Sequence, residues 1–566
     1  MRILFLTRSF NSLAQRLYVE LVARGHEVSV EFDIADAVTI EAVALFRPDL
    51  VIAPFLKRAI PEAVWRDTVC LVVHPGIVGD RGPSALDWAI LDGEREWGVT
   101  VLRAEAELDA GPVWASETFP MGEASKSSLY RREVTEAAAR AVVRAVQRFA
   151  ATGSRTPPIA TTGARGRWRP AVQQADRRID WDRDDTRTVL RKIHSADGAP
   201  GVLDRLFDVP CRLFDAHAEP RPEPALPGCV IARRDAAVLR ATVDGAVWIG
   251  AVRREDADDA LKLPTALAFA AEVAALPERA VDVAAPAVTQ AWREIRYEAE
   301  RGVGYLHFDF HNGAMSSAQC ERLAAALRAA MDRPERVLVL LGGADFWSSG
   351  LHLNVIEAAE SPADESWRNI QAIDDVTLSL IGATDRLVVA ALQGNAGAGG
   401  VFMALAADEV WARHGVILNP HYKNMGNLHG SEYWTYLLPR RLQAGTPDAV
   451  MAHRLPMPAS RAAELGLVDA VFGDTPQDFL VTVRERAAAL AARADLAALL
   501  RAKQLRRQRD EAIKPLAAYR AEELAGMRRN FYGFDPSYHI ARSNFVHHVA
   551  PSWTPLHLAL HRRRRA

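Results

Sequence analysis

Over the first 120 residues, short apolar runs rich in Val, Ile and Leu alternate with stretches whose apolar residues recur every three or four positions. The runs at 2–7, 27–32, 50–54, 69–73 and 99–102 read as strands, and the stretches between them as amphipathic helices. That alternation predicts an α/β unit with a parallel, doubly wound sheet. Ligands of such sheets sit beyond the carboxyl ends of the strands, which directs attention to 8–15, 55–57, 74–81 and Asp109. Between 170 and 275 the pattern becomes one helix (186–194), a Gly-Ala-Pro-Gly turn at 198–201, and short strands around Val230, Val238, Val243 and Val247. This predicts a small, mainly β domain. The stretch 281–288 has no clear period and reads as a linker. From Val303 the α/β rhythm restarts, with strands at 305–310, 337–341, 387–392 and 409–412 and helices at 316–331 and from a glycine-rich turn through Ala407. Beyond Pro476 the chain is helical and charged, as in 479–500 and 501–510, and is expected to pack on the preceding domain. The resulting division is 1–165, 166–280, 281–476 and 477–566.

A chain of 566 residues suits such a division, since domains run to about 100–200 residues. The 69 Lys and Arg nearly balance the 71 Asp and Glu, so no global field draws nucleic acid or anionic lipid, and an anionic ligand needs a local site. Cys70, Cys211, Cys229 and Cys320 form no CxxC or Cys/His pattern, which argues against a disulfide framework and against a metal site. The opening segment is too short for a signal peptide, and no window nears the about 18 apolar residues of a membrane helix. The expectation is a cytoplasmic protein with no membrane partner. The basic end, 562–565, reads as a solvated tail.

Two turns, His74-Pro-Gly76 with 79–83 and 108–112 around Asp109, place an imidazole and a carboxylate at one sheet edge. Such a pair can orient and charge the imidazole for proton transfer during acyl transfer. On spacing alone, His74 could equally cap a turn and Asp109 form an Asx-turn. A dinucleotide site competes, because Asp33 ends a strand–helix–strand start, but 7–14 has no GxGxxG.

The residues His74-Pro-Gly76, 81–90, Gly98-Val-Thr100 and Asp109-Ala-Gly111, with Lys57 ahead of Pro61, resemble folate-dependent formyltransferases of the methionyl-tRNA formyltransferase type. Ile179-Asp-Trp181 and the 198–201 turn are similar to that family's C-terminal β domain. The resemblance covers residues 1–255. It implies 10-formyltetrahydrofolate as donor, His74 and Asp109 as two members of a catalytic triad, and Lys57 and Arg81 among the folate-site residues. One position departs: the family's Asn two residues before the histidine is Val72 here. A lost carbonyl-polarising donor of this kind costs about 10²–10³ in rate. Arg8, Asn11, Gln15 and Arg131, near strand ends, are candidates to replace it, although Arg8 and Gln15 also read as solvated loop residues.

In the later α/β unit, 346–354 and 393–400 follow strands, the second leading into a helix. Two N–H groups converging there would form an oxyanion hole, while close helix–strand packing explains the glycines equally well. The pair of loops resembles the crotonase (enoyl-CoA hydratase/isomerase) superfamily over 295–475. The resemblance implies an acyl-CoA ligand and places the oxyanion N–H groups on Ser349 and Gly399. Phe402 and Tyr422 occupy the positions of the two hydratase glutamates, which argues against water addition. Glu432 in 430–432 falls in the first turn of an expected helix, where negative charge is favoured anyway; Tyr422 could equally be a core aromatic.

A formyltetrahydrofolate-type head, a crotonase unit without its glutamates and a helical end together resemble one family over nearly the full chain, the HoxX/HypX hydrogenase-maturation proteins. That resemblance implies synthesis of the carbon monoxide ligand of [NiFe]-hydrogenase, which the hydrogenase maturation machinery would receive. The chemistry it suggests is formyl transfer from the folate to coenzyme A, then cleavage of formyl-CoA with Tyr422 and Glu432 handling the proton. Phe402 and Trp347 would exclude water. Asn312 and Ser195 would line a passage between the sites, and Lys503, Arg506, Arg507 and Arg542 would hold the CoA phosphates, unless the first three merely form a solvated helix face. Three alternatives stay open: a fused formyltransferase with an amine or sugar acceptor plus an acyl-CoA thioesterase or isomerase; a non-catalytic CoA- or folate-binding scaffold; and a nicotinamide-dependent oxidoreductase, disfavoured by the missing glycines.

Overall fold

The strands Arg2–Thr7 (β1), Glu27–Phe32 (β2), Leu50–Phe55 (β3), Cys70–His74 (β4), Glu96–Arg103 (β5) and Val113–Pro120 (β6) form one sheet in the order β2-β1-β3-β4-β5-β6. The structure, a computed structural model, describes residues 1–155, 159, 163–219, 224–285 and 291–563. β1 to β4 are parallel and apolar on both faces: Ile3 and Phe5 enter one core, Leu4 and Leu6 the other. β5 and β6 run antiparallel, so the doubly wound sheet is mixed at one edge. β6 is absent from the expected set because polar residues at 116–118 break its apolar run.

The second domain is a five-stranded antiparallel path, Val202–Leu206, Val209–Glu219, Ala246–Arg254, Ala237–Ala241 and Val230–Arg234, covered by the helix Thr186–Ala196. The first two strands are interrupted by charges and carry no clean alternation in sequence. Val243 lies in the turn between two strands rather than in one. Of the expected linker, residues 286–288 lie outside the described residues; Val283 and Ala284 pack against the third domain's core.

The third domain orders Ile295–Glu300, Val303–Phe308, Val337–Leu341, Leu387–Leu392, Glu409–Ala412 and Ala470–Val471 in one sheet, the first pair antiparallel and the rest parallel. The expected strand at 305–310 is therefore shifted by two residues. A smaller sheet joins Phe346–Ser348, Asn395–Gly397, Ile417–Asn419 and Met457–Pro458, and brings the two glycine-rich loops side by side. Behind them runs the helix Pro362–Gly382, started by Ser361, whose side chain accepts the Asp364 N–H, with proline in its first turn. Among the described residues, no helix is long and apolar enough to cross a membrane, and no cluster of His, Cys, Asp or Glu is placed to hold a metal ion.

The helical extension is part of this domain's core: Leu516, Met527 and Phe531 of the helix Leu516–Tyr532 are buried in it. The chain then returns to the first domain. Val30 N–H donates to Leu558 O (3.0 Å), Phe32 N–H to Thr554 Oγ1 (2.8 Å), and the Glu31 carboxylate accepts from Thr554, His561 (2.8 Å) and Arg562 (2.7 Å). The expected solvated basic tail is thus corrected in its described part, because Arg562 also pairs with Glu41 and Arg563 donates to backbone carbonyls; residues 564 and 565 lie outside the described residues. Burial alone would raise the Glu31 pKa, but its bonds to His561, Thr554 and Arg562 hold it below the ordinary carboxylate range. Its contribution to stability is then present above that range and lost as pH falls through the lowered folded value. Glu31→Gln is expected to expose the 549–563 strap to limited proteolysis several-fold faster, and acidification of the unsubstituted chain to do the same.

Candidate active sites

His74 ends β4, with Val72 projecting to the same face two residues earlier. The imidazole is flanked by two carboxylates rather than one. Nε2 lies 2.9 Å from Asp80 Oδ2 and Nδ1 3.6 Å from Asp109 Oδ1. Asp80 is buried, whereas the Asp109 side chain keeps a fifth of its surface exposed and accepts the Gly82 N–H at 3.3 Å. A Cβ at Gly76 would stand 2.4 Å from His74 Nε2 and 2.6 Å from Asp80 Oδ2, so glycine there is what lets the two side chains meet. Trp97 Nε1 and Thr100 Oγ1 donate to the carbonyls of Pro75 and Gly76 and fix that turn. Asp80 was missed because it sits in a glycine- and proline-rich turn, where aspartate has a purely local explanation.

Val72 brings no polar group to this face and packs with the apolar cluster behind β1 and β3. Among the residues expected to replace the missing donor, Asn11 caps the helix Ser12–Ala23 by accepting the Ala14 N–H, with Nδ2 3.5 Å from Tyr130 Oη. Arg8 is half-buried, and its backbone N–H continues the pairing to Phe55 O. Arg81 pairs with Glu107 at 2.8 Å near the surface, and Lys57 is exposed.

In the third domain a cavity of about 490 Å³ is walled by Ser349, Gly350, Ala398, Gly399, Tyr422 and Glu432. Phe10, Gln15 and Phe32 of the first domain and Pro555, His557 and Leu558 of the returning strap complete it. Tyr422 Oη donates to Glu432 Oε2 at 2.5 Å and lies 3.2 Å from Ser431 O. Phe402 stacks on the Tyr422 ring, centroids 5.5 Å apart and planes 20° apart. Burial, and then the neighbouring Asp374 carboxylate, raise the Glu432 pKa; burial and then Glu432 raise that of Tyr422. At neutral pH this is a buried group of acids short of negative charge, able to hold and release a proton inside an apolar wall.

Two expectations for this cavity need correction. The Ser349 N–H donates to Gly313 O at 2.7 Å, so it is not half of a two-donor oxyanion hole. Gly399 remains, as the first residue of the helix Gly399–Leu405, where N–H groups lack an intrahelical acceptor. Trp347 does not wall the cavity: it is buried in the core, edge-on to Phe308, with Nε1 donating to Gly400 O. Phe402 acts one layer back, through Tyr422. His421, to which the sequence assigns no role, lines the cavity with an unpartnered Nδ1, its pKa pushed down to about 4 by burial and then by Arg454.

The formyl transferase family matches residues 6–146, its C-terminal domain 171–261, and the enoyl-CoA hydratase/isomerase family 298–534. Methionyl-tRNA formyltransferase of Ralstonia nicotianae is 28% identical over 218 residues, 38% of this chain and 66% of that protein. The hydrogenase maturation factor HoxX of Bradyrhizobium diazoefficiens is 58% identical over 567 residues, covering 100% of this chain and 98% of that protein. This chain belongs to the HoxX/HypX family of hydrogenase maturation factors. The crystal structure of HypX from Aquifex aeolicus in complex with tetrahydrofolic acid superposes with a TM-score of 0.96 at 48% identity, over 100% of this chain and 99% of that one.

In this HoxX/HypX chain a further chamber of about 430 Å³ lies where all three domains meet. Arg131 crosses it, donating to Asn312 Oδ1 at 2.8 Å and pairing with Asp345 at 3.3 Å. Gln15 Oε1 accepts from Asn419 Nδ2 at 3.3 Å on the wall of the other cavity. Gln15, Arg131 and Asn312 therefore all lie at domain junctions. Ser195 does not join them, because it is fully buried with Oγ donating to Lys192 O. The expected phosphate cations are largely committed within the protein. Lys503 Nζ is buried on Asp408 (2.6 Å) and Arg386 O (2.8 Å), Arg507 on Tyr436 and Glu511, and Arg542 on Glu357 (2.5 Å) and His539 (2.7 Å). Arg506 is exposed on the same helix as Lys503.

Proposed function

We propose that this protein makes carbon monoxide for [NiFe]-hydrogenase maturation in two steps. Formyl is transferred from 10-formyltetrahydrofolate to the thiol of coenzyme A at the first site, and formyl-CoA is cleaved to carbon monoxide and CoA at the second. The observation that carries this reading is the buried Tyr422–Glu432 pair, standing at a cavity that the formyltransferase domain itself helps to wall. The cavity suits a thioester: Ile370, Met425, Leu428 and Met527 line it, and Gly399 offers an N–H.

At the first site His74, steadied by Asp80 and Asp109, takes the thiol proton and returns it to the folate nitrogen as the C–N bond breaks and the C–S bond forms. At the second, Gly399 N–H supports the formyl oxygen; the protonated Glu432, bonded to Tyr422, gives its proton to the departing sulfur, and the carboxylate so formed takes the proton leaving carbon. The C–H and C–S bonds break, the C–H pair stays on carbon, and no oxidant is consumed. Hydrolysis to formate is the competing fate, so the apolar wall and the strap serve to keep water out. Delivery through the domain junctions at Gln15, Arg131 and Asn312 keeps the reactive thioester inside one chain. Free cysteines fit a reducing cytoplasm, and the acceptor of the gas belongs to the maturation machinery.

The experiment is incubation of the purified protein with ¹³C-formyl-labelled tetrahydrofolate and CoA, with deoxyhaemoglobin as carbon monoxide trap and mass spectrometry of the products. Labelled, CoA-dependent carbon monoxide is expected. Labelled formate or a formylated amine in its place would move the function to a fused transferase and thioesterase, and binding without turnover would leave only a scaffold.

A further inference from the structure

The turn that presents Glu432 is conformationally unusual and is held from two helices by carboxylates that no motif singled out. Glu432 and Tyr433 both have φ of +61°, two successive non-glycine residues in the left-handed region. Asp374, fully buried on the helix Pro362–Gly382, accepts the Glu432 N–H on Oδ1 and the Ser431 Oγ–H on Oδ2, each at 2.8 Å. Glu523, fully buried on the helix Leu516–Tyr532, accepts the Tyr433 N–H at 2.8 Å, the Thr435 N–H at 2.9 Å and the Thr435 hydroxyl. Five donors of one short turn thus end on two carboxylates. The placement matters because a Cβ on Gly399 would lie 1.9 Å from Glu432 Oε1: the turn sets that carboxyl directly against the N–H-bearing wall of the cavity.

Buried carboxylates are expensive where neutral acceptors would serve, which asks for a role beyond holding a loop. The one cation near Asp374 among its described ion pairs is Arg520, at 3.8 Å, and Arg520 is shared with Asp375. The charged and titratable groups facing Glu432 are Tyr422, Cys320, Asp374, Glu523 and, behind Asp374, Arg520. Asp374 and Glu523 oppose a negative charge on Glu432, whereas the Tyr422 hydroxyl, which donates to its carboxyl, favours one.

Resting on the function proposed above, we infer that Asp374 and Glu523 are positioning residues for Glu432, fixing the 431–435 turn and its carboxyl against Gly399 and loading the pair Tyr422–Glu432 with a proton. The C-terminal helix is on this view a working part of the second site. Asp374 repels charge on Glu432, so its removal lets Glu432 ionise at lower pH. With the protonated carboxyl as the working form, the alkaline limb of the second step then moves to lower pH.

The test supplies formyl-CoA directly to the full-length protein and measures carbon monoxide release against pH. Asp374→Asn is expected to lose about 10–100-fold in rate, as for a misplaced catalytic group, and to shift the alkaline limb to lower pH. Glu523→Gln is expected to lose rate in the same range while folate consumption with CoA stays at the parent level. Thermal unfolding identifies a variant that does not fold; Ser431→Ala and Thr435→Val, which each delete one donor and keep every charge, then carry the test and are expected to lose rate several-fold with the limb in place. If Glu432→Gln loses carbon monoxide release while the positioning variants stay within twofold of the parent and their limbs do not move, the inference alone is overturned. If Glu432→Gln itself keeps full release, the proposed second step and this inference fall together.

Discussion

Glu432→Gln and Tyr422→Phe are each expected to cut carbon monoxide release from supplied formyl-CoA by about 100-fold or more, the scale of a lost general acid–base group. Formyl transfer from the folate to CoA should continue in both, because His74 does not line the cavity of Tyr422 and Glu432. Measuring the two half-reactions separately makes the expectation sharp: labelled formyl-CoA should accumulate and then drain to formate. Normal gas yield from both variants would remove the second-site assignment. The glutamine variant carries a second expectation of opposite sign. Burial and the Asp374 charge raise the folded pKa of Glu432 above its unfolded value. The stability it lends is therefore full below the ordinary carboxylate range and is lost as pH rises through the raised folded value. A neutral glutamine does not lose it, so Glu432→Gln should unfold at a higher temperature than the parent at alkaline pH and at a similar one in acid. A variant that is more stable and less active is the mark of a strained working site. A variant destabilised at every pH would point to a packing role instead.

The contrast between the two sites shows what a sequence exposes. Strands β1 to β4 were legible because parallel strands buried on both faces are near-continuous apolar runs, and their carboxyl ends then located His74 without any further information. Gly399, Tyr422 and Glu432 were legible only through a family's loops, yet they wall one cavity. Asp80 was hidden by its own turn. Asp374 and Glu523 were hidden more deeply: each is one polar residue on an amphipathic helix, and only tertiary packing turns it inward to a segment 58 or 90 residues away. The basic residues failed in the opposite way. Lys503 and Arg542 look in sequence like free cations, and in the fold each is paired with a partly buried carboxylate, because long side chains near a domain core find internal partners that no local pattern announces.

His74→Ala is expected to lower formyl transfer from the folate by about 10³-fold, within the range for a proton-transferring side chain, and to spare cleavage of supplied formyl-CoA. The two carboxylates beside it should then separate by role. Asp80 is at hydrogen-bonding distance from Nε2 and buried, so it orients the ring; Asp109 stands 3.6 Å from Nδ1 and is partly exposed. Asp80→Asn keeps the volume but swaps an acceptor oxygen for an amide that can present a donor to a ring nitrogen, which favours the other tautomer. Its loss should appear in the rate constant with little change in folate affinity. Asp109→Asn should weaken the rate and the folate interaction together. Gly76→Ala gives an independent check, because its methyl group would intrude between His74 and Asp80 and should reproduce the Asp80→Asn phenotype with both polar groups still present. Val72 makes the comparison informative. With no amide on that face to share the work of polarising the formyl oxygen, the proposed first step would rest more heavily on the His74–Asp80–Asp109 arrangement. If Asp80→Asn and Gly76→Ala both transfer formyl at the parent rate, Asp80 is only a turn residue and the ring is oriented from the Asp109 side alone.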